Sequence, residues 1–247
     1  MKATQKSQNQ PPDICTEAII LAGGKGTRLK NTISDVPKPM AEINGKPFLE
    51  YLINYLGKNG IKHIILSIGY KAEYIENHFR NSFNGIAVSY SHETTPLGTG
   101  GGVLLAMQQA ATNHVAVVNG DTLFDIDLKM LAGFHTQNNA TVSIALKKRE
   151  DTSRYGTIAT DKNGRITAFQ EKIGGQGTGL ISGGTYIISG KKFLELGLPG
   201  QFSLEKDFLE KFYEKEYFWG LEFKGYFIDI GTPSAYRQAQ TDFLKIF

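Results

Sequence analysis

Short apolar runs alternate with longer amphipathic stretches along most of this chain, and the spacing predicts the elements. Ala18-Ile-Ile-Leu-Ala22 is a continuous apolar run ending in glycines, the pattern of a strand buried on both faces of a parallel sheet. Pro47 opens a segment with apolar residues at Phe48, Leu49, Leu52, Ile53 and Leu56, and Gly60 follows it, which predicts a helix with ordinary start and stop residues. The pattern then predicts strand His63–Ile68, helix Ala72–Phe79, strand Ile86–Tyr90, helix Gly102–Ala111, strand Val115–Val118, helix Leu128–Phe134 and strand Thr141–Leu146. Repeated units of this kind predict a parallel sheet with right-handed crossovers, whose ligands bind at the carboxyl ends of the strands.

After Lys147 the pattern shortens. Tyr155–Thr160 and Arg165–Glu171 alternate about the hairpin signal Asp161-Lys-Asn-Gly164, and Gly179–Ile188 continues extended. Helix Phe202–Phe212, strands Tyr217–Phe223 and Tyr226–Ile230, and helix Ser234–Phe247 complete the expectation. The chain therefore reads as a polar, flexible tail over 1–15 and one domain over 16–247, with about 147–190 forming a small β-rich lobe.

Composition narrows the partners. The 247 residues carry a net charge of +3 with both signs interspersed, and no basic stripe suited to nucleic acid is present. Cys15 is the only cysteine, so neither an intrachain disulfide nor a cysteine-rich metal site can form. Met1–Asp13 lacks the apolar core of a secretory signal, and no apolar run approaches the roughly 20 residues that span a bilayer. A cytoplasmic protein without membrane partners is expected.

Gly23, Gly24 and Gly26 lie between a buried strand and a polar turn, where backbone N–H groups can converge on a phosphate. Lys25 and Arg28 add positive charge. The alternative is a glycine turn that needs only tight geometry. Neither standard phosphate motif fits: the P-loop pattern is absent, and Gly24-Lys-Gly26-Thr-Arg-Leu29 places leucine where a dinucleotide fingerprint needs its third glycine. Pro37-Lys38-Pro39 fixes a lysine's backbone, although in isolation Lys38 is better read as a solvated turn residue. Asp121 and Asp229 each end an apolar strand and would suit Mg²⁺, which takes one or two carboxylates and completes its shell with phosphate and water; either could instead cap a following helix. Asp125 and Asp127 are weaker candidates, Asp127 as the cap of the Leu128 helix. Glu93–Gly102 is a second glycine-rich loop that could let a flat base approach the backbone.

Taken in order, Leu21-Ala-Gly-Gly-Lys-Gly-Thr-Arg-Leu29, Pro37-Lys-Pro-Met40, Pro96-Leu-Gly-Thr-Gly100, Asn119-Gly-Asp121, Arg154-Tyr-Gly156, Phe169-Gln-Glu-Lys172 and Asp229-Ile-Gly-Thr-Pro233 resemble the nucleotidyltransferases that couple an NTP to a sugar 1-phosphate. The likeness runs from Glu17 to about Tyr236. The direct passage from the glycine loop through Lys30–Asp35 to Pro37, and Asn119-Gly-Asp-Thr-Leu-Phe-Asp-Ile-Asp127, look most like guanylyltransferases acting on D-glycero-α-D-manno-heptose 1-phosphate. That resemblance implies a Rossmann-like three-layer α/β sandwich with a mainly parallel mixed sheet and a β-rich sugar-binding lobe. It implies GTP and the sugar 1-phosphate as substrates, Mg²⁺ as cofactor, a nucleotide-sugar product for surface glycans, and a homo-oligomer as an open option.

By the same resemblance Leu21, Ala22, Gly23, Gly24, Lys25, Gly26, Thr27 and Arg28 wrap the nucleotide phosphates and Lys38 neutralises charge at the α-phosphate. Asp121 and Asp229 hold the metal, and Glu93, Gly98 and Thr99 face the base. Gly156, Glu171, Lys172 and Gly183 meet the sugar and its phosphate. Ser182 departs from the asparagine expected there. Competing readings are a mannose-1-phosphate guanylyltransferase, a non-catalytic nucleotide-sugar-binding regulator, and a nicotinamide dehydrogenase, the last opposed by the lack of an acidic residue in the right strand-end context.

Overall fold

A computed structural model of the protein describes residues 15–24, 36–152, 155–170 and 177–247. Its first half contains β1 (Glu17–Leu21), a 3₁₀ turn (Lys38–Met40), β2 (Glu42–Ile43), β3 (Lys46–Pro47), α1 (Phe48–Lys58), β4 (His63–Ile68), α2 (Ala72–Phe79), β5 (Ser82–Phe83), β6 (Ile86–His92), α3 (Gly98–Met107), β7 (His114–Asn119), β8 (Thr122–Phe124) and α4 (Leu128–Gln137). There follow β9 (Val142–Arg149), β10 (Thr157–Thr160), β11 (Ile166–Gln170), β12 (Gly179–Ser189), α5 (Gly190–Glu195), a π-helix (Leu204–Leu209), α6 (Glu210–Phe212), β13 (Phe218–Glu222), β14 (Phe227–Asp229) and α7 (Pro233–Ile246).

β1 is central, as its unbroken apolar run requires. Ile19 pairs with Ile65 of β4 on one side and Val117 of β7 on the other, both parallel, and β6 extends the parallel set beyond β4. The pleat sends alternate β1 residues to two cores. Ala18 and Ile20 pack with Phe48, Leu52 and Ile53 of α1 and Phe243 of α7, while Ile19 packs with Val103 and Met107 of α3 and with Phe208. Helices thus cover both faces, giving the three-layer α/β arrangement.

Three departures from the expected pattern have physical causes. Strand β9 does not continue the parallel set beside β7; that place is taken by β12, antiparallel, with Tyr186 opposite Val117. β12 also carries β9 on its other side, and the β10–β11 hairpin joins at its start through Thr157 and Ile181. Apolar periodicity identifies strands and is blind to which ones become neighbours. The segment expected as a helix over 202–212 is instead π-helical over Leu204–Leu209, with 202 and 203 outside the helix. Its buried residues, Leu204, Phe208 and Leu209, are spaced four and five apart, and the wider turn lets all three reach the core. Helix α3 begins at Gly98, four residues earlier than expected, for a reason given below. Among the described residues no helix is long and apolar enough to cross a membrane.

His135, on the buried face of α4, is fully enclosed, with Nδ1 3.0 Å from Ser143 Oγ and its ring against His114. Burial, then the nearby His114 and Lys192, push its pKa from 6.5 down to about 3. Above pH 6.5 the imidazole is neutral folded or unfolded. As pH falls below 6.5 the unfolded chain takes up a proton that the folded chain refuses, so stability should fall by about 1.4 kcal/mol per pH unit through this residue alone. Urea unfolding at pH 7 and pH 5 should therefore show a smaller loss for His135→Gln than for the wild type; parallel losses would contradict the assignment.

Candidate active site

The carboxyl ends of the parallel strands are tied together by backbone hydrogen bonds. Ala22 N–H donates to Ser67 O at 2.8 Å and Gly120 N–H to Leu21 O at 3.0 Å, so the loops after β1, β4 and β7 share one rim. A cavity of about 620 Å³ opens there, lined by Gly23, Gly24, Tyr70, Glu93, Thr99 and Asp121 among others, with Leu21 and Gly98 also in its wall. Glu93 is held on its floor, accepting from Ser67 Oγ and from Leu97 N–H, both at 3.1 Å. Ala22 is buried beneath it. Lys25, Gly26, Thr27 and Arg28, expected on this side, lie outside the described residues.

A second cavity, of about 500 Å³, opens on the other side of the β7 terminus. Tyr155, Gly156, Phe169, Gly183, Glu205 and Asp229 are among the residues that line it. Glu171 and Lys172 lie outside the described residues. Asn119 and Asp121 line both cavities, so the Asn119-Gly-Asp121 turn is their common wall.

On that wall three charged groups meet. β8 runs antiparallel to β14 with Thr122 opposite Asp229, and Ile230 N–H donates to Asp121 O at 3.0 Å. This pairing carries the two aspartates to one place. Lys38, raised on its proline-flanked turn, donates from Nζ to Asp121 Oδ2 and stands 3.6 Å from Asp229 Oδ1. Asp121 Oδ1 accepts from Thr122 Oγ1 at 3.1 Å, and Asp229 Oδ1 from Gly231 N–H at 2.7 Å. Lys38 is only 8% exposed, so the solvated-lysine reading does not hold. Helix capping does not explain the aspartates either: β8 follows Asp121, and α7 is capped by Thr232, whose Oγ1 accepts from Ala235 N–H. Asp127 is the cap of α4, accepting from Met130 N–H at 3.0 Å.

One lysine facing two carboxylates leaves a net negative group with two hard oxygen ligands, which attracts a cation. Among the described residues no cluster of three or more His, Cys, Asp or Glu could hold a metal by itself. Two carboxylates whose remaining partners would come from phosphate oxygens and water fit Mg²⁺ chemistry.

The glycines at 98, 100 and 101 have a use that the sequence does not disclose. A Cβ on Gly98, whose φ is +74°, would lie 2.5 Å from Phe202 O, and one on Gly100 would strike the Phe202 ring. These glycines admit the chain's own 200–203 segment, and α3 starts early because Gly100 and Gly101 N–H donate to Phe202 O. Gly183 and Gly184 form an irregularity in β12 against β9; Gly184 has φ +68°, and a Cβ on Gly183 would strike the Phe124 ring. Ser182 donates to Tyr186 Oη at 2.9 Å and accepts from Gly184 N–H at 3.2 Å, so its hydroxyl is spent within this irregularity. Burial, then the Glu205 carboxylate, raise the Tyr186 phenol above its ordinary pKa, against a smaller lowering from Ser182. Tyr70, Glu205 and Lys206 also line these cavities and are not singled out by the sequence. An aromatic beside a loop and a charged pair on a helix carry no signal that separates them from ordinary surface residues.

The nucleotidyl transferase family model matches residues 17–246. The chain is 46% identical to a D-glycero-α-D-manno-heptose 1-phosphate guanylyltransferase of Aneurinibacillus thermoaerophilus, over 92% of this chain and 97% of the relative. It is 45% identical to one from Campylobacter jejuni, over 89% and 96%. The crystal structure of HddC from Yersinia pseudotuberculosis superposes with a TM-score of 0.81 at 40% identity, covering 92% of this chain and 99% of that one, and the same protein complexed with GMP-PN gives 0.80. The chain belongs to the nucleotidyl transferase family.

Proposed function

We propose that this protein transfers GMP from GTP to D-glycero-α-D-manno-heptose 1-phosphate, releasing pyrophosphate. The observation that carries the proposal is the meeting of Asp121, on the wall shared by two cavities, with Asp229, which lines the second, where an α-phosphate held from one side would face a sugar phosphate held from the other. The guanine and heptose assignments rest on relatives at 45–46% identity. A mannose-1-phosphate guanylyltransferase of Mycobacterium tuberculosis is more distant, at 32%.

A sugar-phosphate oxygen attacks the α-phosphorus, a new P–O bond forms, and the bond from the α-phosphorus to the bridging oxygen breaks as pyrophosphate leaves. The nucleophile is already ionised, so the protein needs no covalent intermediate; it must position two anions that repel and stabilise charge on the phosphorus. Gly23 and Gly24 line the phosphate end of the first cavity, and on this reading residues 21–28 close around the triphosphate with Lys25 and Arg28 supplying charge. Lys38 Nζ puts a buried positive charge beside the aspartates, and on this reading it neutralises charge at the α-phosphate. Mg²⁺ held by Asp121 and Asp229 would supply Lewis-acid charge to the phosphate oxygens. Gly156, Gly183, Glu171 and Lys172 are assigned to the sugar and its phosphate. The cytoplasm, which supplies GTP, is the expected place of work.

Pyrophosphate release measured across four NTPs and a panel of sugar 1-phosphates should be greatest for GTP with the manno-heptose 1-phosphate and should stop with EDTA. A preference for mannose 1-phosphate would replace the heptose assignment, and no release with any pair would favour a nucleotide-sugar-binding regulator. Asp229→Ala should lower kcat about 10²–10³-fold, the scale of losing one preorganised electrostatic contact, with an unchanged circular dichroism spectrum. A folded variant of near wild-type activity would remove Asp229 from the metal site.

A further inference from the structure

The two cavities share more than the Asn119-Gly-Asp121 wall. Thr99 lines the first and Glu205 the second, and Thr99 Oγ1 donates to Glu205 Oε2 at 2.9 Å. The same threonine oxygen accepts from Leu204 N–H at 2.9 Å, while Ser203 Oγ donates to the same glutamate oxygen at 3.2 Å. Around this pair the backbones are joined in both directions: Phe202 N–H donates to Leu97 O at 3.0 Å, and Gly100 N–H to Phe202 O at 3.0 Å. Leu97 N–H in turn donates to Glu93 on the floor of the first cavity. Hydrogen bonds thus tie Glu93 to Leu97, Leu97 to Phe202 and Thr99 to Glu205, and the short stretch of chain from Leu97 to Thr99 joins the first two bonds to the last.

We infer that the Thr99–Glu205 hydrogen bond is a positioning contact that couples the two substrate cavities, so that nucleotide and sugar phosphate each bind more tightly when the other is present. The inference rests on the two-substrate function proposed above. Three features favour coupling over a simple brace. The bond joins side chains that line different cavities, and so it senses movement of either wall. The glycines at 98 and 100 allow an approach that any Cβ would prevent, which makes the loop and the 202–205 segment one body. Glu205 stands on a π-helix, a rare form of backbone that occurs frequently at functional sites. Where two ligands bias one shared element, the effect is reciprocal by linkage.

The test uses α,β-methylene-GTP, which binds but cannot be cleaved at the α-phosphorus. Its Kd is measured by calorimetry with and without saturating manno-heptose 1-phosphate, and the reverse titration is made as well. The wild type should show a ratio of about fivefold or more in both directions, the lower end of ordinary coupling. Thr99→Val and Glu205→Ala should each bring the ratio to within about twofold of unity, and the double variant should go no further. Thr99→Ser and Glu205→Gln keep a donor and an acceptor and should keep the coupling. A purely structural role would lower the melting temperature or weaken both ligands alike while leaving the ratio at its wild-type value, and that result overturns the inference. So does a wild-type ratio of one. Failure of the functional proposal is separate: it shows as a wild type that releases no pyrophosphate with any substrate pair.

Discussion

A lysine ammonium set against two aspartates is the interaction on which the rest of this site depends. An ammonium and a carboxylate about 4 Å apart at an effective dielectric of about 20 attract by about 4 kcal/mol, comparable to the several kcal/mol needed to take each ion from water. Lys38 is 8% exposed and so needs such partners. Asp121 and Asp229 in turn need a positive charge between them to sit on one rim. Three distant pieces of chain are thereby drawn together: the proline-flanked turn, the end of β7 and the end of β14. The remaining negative charge is what a divalent cation would neutralise.

The sheet explains why this trio stands between two cavities. β1, β4, β6 and β7 run parallel and present their carboxyl ends to one side, where the first cavity forms. Insertion of antiparallel β12 beside β7 ends that series and brings the β10–β11 hairpin next to the same strand ends, where the second cavity forms. The junction is close-packed. Gly183 leaves room for the Phe124 ring of β8, and Gly184 for the Asn119 side chain on the common wall.

Much of this was legible in the sequence, and the reasons differ by element. The β1 strand and α1 were readable because each shows one periodicity with a clear stop, and Asp127 because it directly precedes the helix it caps. The place of Asp121 and Asp229 at strand ends is readable, although their meeting depends on the β8–β14 pairing, which no local pattern announces. Lys38 in isolation reads as a solvated turn residue for the same reason, since its partners Asp121 and Asp229 lie far away in sequence. The glycines at 98 and 100 make room for Phe202, a residue that periodicity puts in a different element, so this use has no local signal. Ser182 could be seen only as a departure; its bond to Tyr186 depends on the irregularity in β12.

The central claim is that Asp121 and Asp229 together form the divalent-metal site at the junction of two substrate cavities. Manganese electron paramagnetic resonance in the presence of α,β-methylene-GTP tests it most directly. The wild type should bind Mn²⁺ in a nucleotide-dependent way, and Asp121→Asn and Asp229→Asn should each abolish that bound signal while the protein stays folded. Nucleotide-dependent Mn²⁺ binding that survives unchanged in both variants would contradict the account.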